Sequence, residues 1–157
     1  MSDPLDIDKT RLPPDDGSRD AQLSTGDTLG QYRIIRLLGR GGMGEVYEVE
    51  HTTLALRYAL KLLPADFASR SDALERFRRE AQVMANLEHP NIVKVDEFGE
   101  ADGRYWLRME LAEGGAIEGK KVVTIADYAE ALGGRIPQDE LLELLKQVVS
   151  GLDYAHR

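Results

Sequence analysis

Three residue types, at three separated places, have the chemistry to handle a phosphate. Gly39-Arg40-Gly41-Gly42-Met43-Gly44 fits the spacing Gly-x-Gly-x-x-Gly. Glycines let a backbone lie close to an anion with its N–H groups turned toward it. Lys61 is the lone charge in the run Tyr58-Ala59-Leu60-Lys61-Leu62-Leu63, where an ammonium is costly unless paired. Glu80 belongs to a stretch with helical periodicity. At about 100° per residue it falls about 60° from Phe77, inside a stripe of Leu74, Phe77, Ala81, Met84 and Leu87. Its charged neighbours Glu75, Arg76, Arg78 and Arg79 fall outside that stripe. At about 4 Å and an effective dielectric near 20, a Lys61–Glu80 pair attracts by about 4 kcal/mol. Desolvation takes back much of this, so the pair reads as a device that positions the lysine. Two plainer readings stand beside it. Lys61 on an edge strand can snorkel to water, and Glu80 can bend to solvent from the rim of the stripe.

The flanks decide which kind of glycine loop this is. A dinucleotide loop leads into a helix whose N-terminus holds the pyrophosphate. Here Glu45-Val46-Tyr47-Glu48-Val49-Glu50 alternates acidic and apolar residues, which is strand period. A Walker loop ends in Gly-Lys-Ser/Thr, whereas Gly44 is followed by Glu45 and Val46. A strand–loop–strand flap over phosphates remains, alongside a glycine-rich hairpin that holds no ligand.

The elements that must position these residues follow from the same patterns. Ile34, Ile35, Leu37 and Leu38 make a β-rich run before the glycines, and Arg57 to Leu63 makes a third strand ended by Pro64. Ala73 to Leu87 reads as a helix capped by Ser71 or Asp72 and closed at His89-Pro90-Asn91. Ile92 to Val95 and Tyr105 to Leu111 read as two more strands, with a turn at Ala101-Asp102-Gly103. The first half is thus five strands and one helix, without βαβ alternation. After Gly114-Gly115, residues 116–136 are ambiguous apart from a short helix over Ile125 to Leu132 that Gly133-Gly134 breaks. Pro137 opens a clear helix with Leu141, Leu142, Leu144, Leu145, Val148, Val149 and Leu152, and Asp139 and Glu140 suit its positive end.

Composition bounds the function. The chain has 157 residues, 42% of them apolar, and a net charge of −8. That is one domain's length, long enough for a core. An acidic chain is a poor non-specific partner for nucleic acid. The absence of cysteine excludes disulfides and thiolate metal sites, and His51, His89 and His156 are too far apart for a local zinc motif. Residues 1–31 hold seven Asp against Lys9, Arg11 and Arg19, and three of the six prolines. They read as a disordered acidic tail, in which Thr10 is a candidate phosphorylation site. No signal peptide or 18-residue apolar run is present, so the expectation is a cytoplasmic chain, with any membrane tether beyond Arg157.

Taken together, Leu38 to Val49 (LGRGGMGEVYEV), Tyr58 to Leu62 (YALKL) and Arg78 to Val95 (RREAQVMANLEHPNIVKV) resemble the amino-terminal lobe of Hanks-type bacterial serine/threonine protein kinases. Met109-Glu110-Leu111 and Gly151 to Arg157 (GLDYAHR) add to the resemblance, which covers about residues 32–157. It implies an α+β fold. Residues 32–112 would form an N-lobe of a five-stranded antiparallel sheet plus one helix, and residues 113–157 the first helices of the C-lobe. It also implies ATP as substrate. Leu38, Gly39, Arg40, Gly41, Gly42, Met43, Gly44, Glu45 and Val46 would form the flap, with Leu38, Val46 and Ala59 around the adenine. Lys61 would hold the α- and β-phosphates and Glu80 would orient it. Met109 would be the gatekeeper, and Glu110, Leu111 and Ala112 the hinge, with backbone groups of Glu110 and Ala112 offered to adenine.

Two departures qualify the resemblance. Glu118-Gly119-Lys120-Lys121 is extra sequence after the hinge, so no ribose contact is assigned there. The 157 residues also contain no His-Arg-Asp loop with its base and asparagine, and no Asp-Phe-Gly. Magnesium is therefore expected only in a complete kinase. The expectation is the ATP-binding part of a kinase that phosphorylates protein Ser or Thr, inactive as these 157 residues alone. Its helix over 137–157 would be covered by the rest of the C-lobe or by a partner. Against it stand a non-catalytic nucleotide-binding or interaction module, and a fragment with a marginal fold.

Overall fold

The structure, a computed structural model, describes residues 22–41, 44–64 and 71–157, apart from the side chains at 71–73 and 80. Strands β1 (Thr28–Leu29), β2 (Tyr32–Gly41), β3 (Gly44–His51) and β4 (Arg57–Leu62) precede helix α1 (Ser71–Ala85). Strands β5 (Val95–Ala101) and β6 (Arg104–Met109) follow. Then come β7 (Gly115–Ile117), β8 (Lys120–Val122), α2 (Ile125–Ala131) and α3 (Gln138–Ala155). The main sheet runs β1-β2-β3-β4-β6-β5 with antiparallel neighbours, and β7 and β8 pair as a separate hairpin.

Strand alternation divides the residues between two faces. One face buries Tyr32, Ile34, Tyr47, Val49, Leu60, Leu62 and Trp106, closed by Leu29. On the other face Leu107 and Val95 pack against Ala81 of α1, with Phe77, Phe98 and Met109 partly buried around them. A polar clamp ties the two ends of the sheet. The Tyr32 hydroxyl donates to Glu97 Oε2 at 2.9 Å and accepts from Arg108 Nη1 at 2.8 Å. Arg108 pairs with Asp96 and Glu97 at 2.8 Å each. Burial pushes the Tyr32 hydroxyl above its ordinary pKa, and the hydrogen bond to Asp96 does the same for the guanidinium.

The architecture is the α+β one expected, with corrections at its edges. The sheet has six strands among the described residues, not five. The extra one lies in the stretch read as acidic tail. Leu29 is buried in the core, Gly26 N–H reaches Ile34 O at 2.9 Å, and Ser24 N–H reaches Asp27 Oδ2 at 2.7 Å. Those Asp and Ser residues make a turn into the sheet; of the stretch read as tail, residues 1–21, Thr10 included, lie outside the described residues. The caps at Ser71 and Asp72 also lie outside it. Ile92 to Lys94 is not strand; β5 begins at Val95 and extends through Ala101. Arg57 to Leu63 loses its last residue, Tyr105 to Leu111 becomes Arg104–Met109, and α1 ends at Ala85. Met84 is 41% exposed, because α1 touches the sheet along Phe77 and Ala81 and leaves its end outside. Pro137 is the residue before α3 rather than in its first turn. The short helix α2 is held by a Thr124–Asp127 capping box.

Candidate active site

The glycine loop is the end of the β2–β3 hairpin. Gly39 pairs with Val46, Arg40 with Glu45 and Gly41 with Gly44; Gly42 and Met43 lie outside the described residues. Arg40 and Glu45 form a cross-strand ion pair on the flap. The Tyr47 hydroxyl donates to Glu45 Oε2 at 2.6 Å. Desolvation, helped by that acceptor, pushes the phenol up to about 12. Gly44 has φ +106, and a Cβ there would lie 2.0 Å from the Leu62 carbonyl oxygen. A Cβ on Gly39 or Gly41 would meet nothing within 4 Å, and neither has positive φ. Two register shifts in β2 leave Ile35 and Leu38 between paired residues. Bulges re-aim side chains in this way, and Leu38 lines the cleft.

Lys61 sits in β4 opposite Val46 on one side and Leu107 on the other. Residues directly opposite in an antiparallel ladder share a face. Leu107 packs on Ala81, so Lys61 projects from the face that carries α1. Glu80 precedes Ala81 in that helix; its side chain, and with it the expected ion pair, lies outside the described residues.

Ala59 pairs with Met109, and both line a cleft of about 780 Å³ with Leu38, Glu110, Leu111 and Ala112. At its back, Glu110 N–H donates to Lys94 O at 3.0 Å, and Glu110 Oε1 accepts from Lys94 N–H at 2.9 Å. No backbone hydrogen bond joins Leu111 or Ala112 to another described residue. Apolar side chains of Leu38, Ala59 and Met109 thus lie beside a segment in which Leu111 and Ala112 make no backbone hydrogen bond to another described residue.

Sequence reasoning passed over Glu48. It is 4% exposed, and its carboxylate lies 2.8 Å from both Arg36 Nε and Arg57 Nη1. Glu48 is two residues after Val46 and pairs with Ala59, so strand period alone put an acid on the cleft face. The triad ties β2, β3 and β4 together at the roof. Val93, Val123, Thr124 and Lys121 also line the cleft, and nothing local in the sequence pointed to them.

Behind the cleft, the loop after α1 is bound to α3. His89 Nε2 lies 3.0 Å from Ser150 Oγ, and Asn91 Nδ2 donates to Gln147 O at 2.9 Å. The rings of His89 and Tyr154 are 5.2 Å apart. Gly151, the one buried residue of α3, lets the loop in; a Cβ there would sit 3.3 Å from Asn91 O.

Of the residues singled out from sequence, the structure gathers Leu38, Ala59, Met109, Glu110, Leu111 and Ala112 around one cleft. Gly39, Arg40, Gly41, Gly44, Glu45 and Val46 form the flap strands. Lys61 lies in the next strand on the α1 side. Among the described residues, no group of three His, Asp or Glu converges as a metal site would require. Among those residues, no helix is long and apolar enough to cross a membrane.

Residues 32–157 match the family described as the protein kinase domain, and the chain belongs to that family. It is 39% identical over 128 residues to serine/threonine-protein kinase PrkC of Bacillus subtilis (strain 168), covering 82% of this chain and 18% of that protein. It is 39% identical over 138 residues to serine/threonine-protein kinase PknH of Mycobacterium tuberculosis (strain ATCC 25618 / H37Rv), covering 87% of this chain and 21% of that one. The crystal structure of the Mycobacterium tuberculosis PknI kinase domain superposes with a TM-score of 0.64 at 35% identity, covering 86% of this chain and 52% of that chain. The chain therefore spans about half of that solved domain and about a fifth of those curated relatives.

Proposed function

We propose that this chain is the ATP-binding part of a serine/threonine protein kinase. The observation that carries the reading is the cleft. Leu38, Ala59 and Met109 supply apolar walls beside backbone groups of Leu111 and Ala112 that bond to no other described backbone group. Adenine fits there, with its ring between the apolar side chains and its polar edge on the hinge. The Glu110 N–H is already engaged with Lys94, so Glu110 would offer its carbonyl. Gly39 and Gly41 support the same reading. Neither the backbone nor packing demands glycine at either, and open space above a flap suits close approach by a phosphate chain. Val46 would close over the base. Lys61 would hold the α- and β-phosphates, and Glu80 would position it.

Transfer of the γ-phosphoryl group to a protein Ser or Thr belongs, in this reading, to a polypeptide that also carries a base and metal ligands. These 157 residues have neither His-Arg-Asp nor Asp-Phe-Gly, so by themselves they bind ATP weakly and transfer nothing. Magnesium joins only in the complete kinase. The remainder of the kinase domain is the proposed cover for α3, on which Leu142, Leu145, Val149 and Leu152 are each 47% or more exposed. Protein substrates follow from parts outside this chain.

Titration of the 157-residue chain with Mg-ATP, followed by amide shifts, tests the reading. The expected result is weaker than micromolar binding, with shifts at residues 38–46, 59–61 and 109–112, reduced by Lys61→Met. A longer polypeptide continuing into a catalytic loop should phosphorylate a Ser/Thr protein and lose this with Lys61→Met. Transfer by the 157 residues alone, abolished by the same change, would refute the division of labour.

A further inference from the structure

The extra sequence after the hinge is not a loose loop. Glu118 and Gly119, at φ +47 and +80, form a two-residue turn joining β7 to β8, the backbone pattern of tight hairpins. Gly114, at φ +73, anchors its base. A Cβ there would lie 2.1 Å from the Val122 carbonyl oxygen, so the hairpin closes directly onto the end of the hinge. The register pairs Ala116 with Lys121, and Ile117 with Lys120. Opposed residues share a face, so the two lysines project to opposite sides. Lys121 lines the cleft with Leu38, Ala59 and Ala112; Lys120 does not. Three acids line the cleft; Glu113, beside Gly114, makes no ion pair with Lys121 or another described residue, and the other two are engaged. Glu48 is held by Arg36 and Arg57, and Glu110 accepts from Lys94 N–H. No ion pair or hydrogen bond joins the Lys121 ammonium to another described residue.

We propose that Lys121 is a substrate-contacting residue that donates to the ribose hydroxyls of the bound nucleotide. The inference rests on the ATP reading above. With adenine at the hinge and phosphates beneath the flap, the sugar is the part of the nucleotide between them, toward the mouth where the hairpin leaves the hinge. An ammonium has three donors and no acceptor, and sugar hydroxyl oxygens accept.

Saturation-transfer NMR of the 157-residue chain with millimolar ATP, 2′-deoxy-ATP, 3′-deoxy-ATP and adenosine tests this. The wild-type chain should prefer ATP over at least one deoxy form by about fivefold, the size of one partly exposed charge-assisted hydrogen bond. Lys121→Ala should abolish that preference and weaken ATP and adenosine alike. Lys120→Ala removes the same charge from the opposite face and should behave as wild type. Both lysines are exposed, and unchanged amide shifts in β2 to β6 check that the sheet is intact. An unaltered preference in Lys121→Ala overturns the proposal. So does weakened ATP with adenosine spared, which would mean attraction to the phosphates instead. If the wild-type chain binds no adenine compound, the ATP reading itself falls; if it binds ATP and only the lysine experiment fails, that reading stands without Lys121.

Discussion

Glycines 39, 41 and 44 share a motif but not a reason for being glycine. Gly44 is required by the fold, since its φ of +106 and its approach to the Leu62 carbonyl leave no room for a Cβ. Gly39 and Gly41 face open space at ordinary backbone angles. Gly44→Ala should therefore cost about 2 kcal/mol of stability, read as a lower urea midpoint. Gly39→Ala or Gly41→Ala should change it by less than about 0.5 kcal/mol while weakening nucleotide binding. Equal stability losses at all three positions would end this distinction. The motif was legible from spacing alone, whereas the different jobs of its glycines were not, because spacing does not show which strand passes beneath. Glu48 makes the same point. Alternation put it on the cleft face, but its two arginines come from neighbouring strands.

At the scale of elements, the loop at residues 88–92, which follows α1, docks on α3. That loop is held by His89 to Ser150, by Asn91 to Gln147 and by the close approach at Gly151. Gly151→Val overfills this contact and should destabilise by about 1–3 kcal/mol. Its signature should be local: faster amide exchange at residues 88–92 and along α3, with β2 to β4 unchanged. Uniformly faster exchange would mean that the loop and helix are not a separable contact. Helix and strand types were readable from period, and their ends were less so. Ile92 and Val93 look like strand but make no ladder, because Asn91 and Lys94 spend their polar groups on α3 and on Glu110. Residues 22–31 look like tail, yet Leu29 fills the core.

For the whole molecule, the sheet and α1 bury their own core, but α3 turns Leu141, Leu142, Leu145, Val148, Val149 and Leu152 outward. Contiguous exposed apolar surface on one helix drives association unless it is covered. The 157-residue chain should self-associate in sedimentation experiments at tens of micromolar. The double change Leu145→Glu and Leu152→Glu should return it to monomer without altering the circular dichroism of the sheet. A wild-type chain that stays monomeric at high concentration would show that this face finds cover within the chain.

The sequence by itself determined most element types, the glycine run between two strands and the lysine inside a strand, because each is written in a local period or spacing, whereas the hinge was legible only through the family resemblance. Phe77 and Ala81 recur at helical intervals, Tyr47 and Val49 at strand intervals, and the glycines lie within six residues. Tertiary structure alone decided which of these residues share a cleft. Leu38 enters it through a bulge, Ala59 and Met109 meet across a ladder between strands about 50 residues apart, and Lys121 returns to it on a hairpin. Such meetings depend on register and on chain reversal, and these are set by the packing of the whole sheet rather than by any one segment.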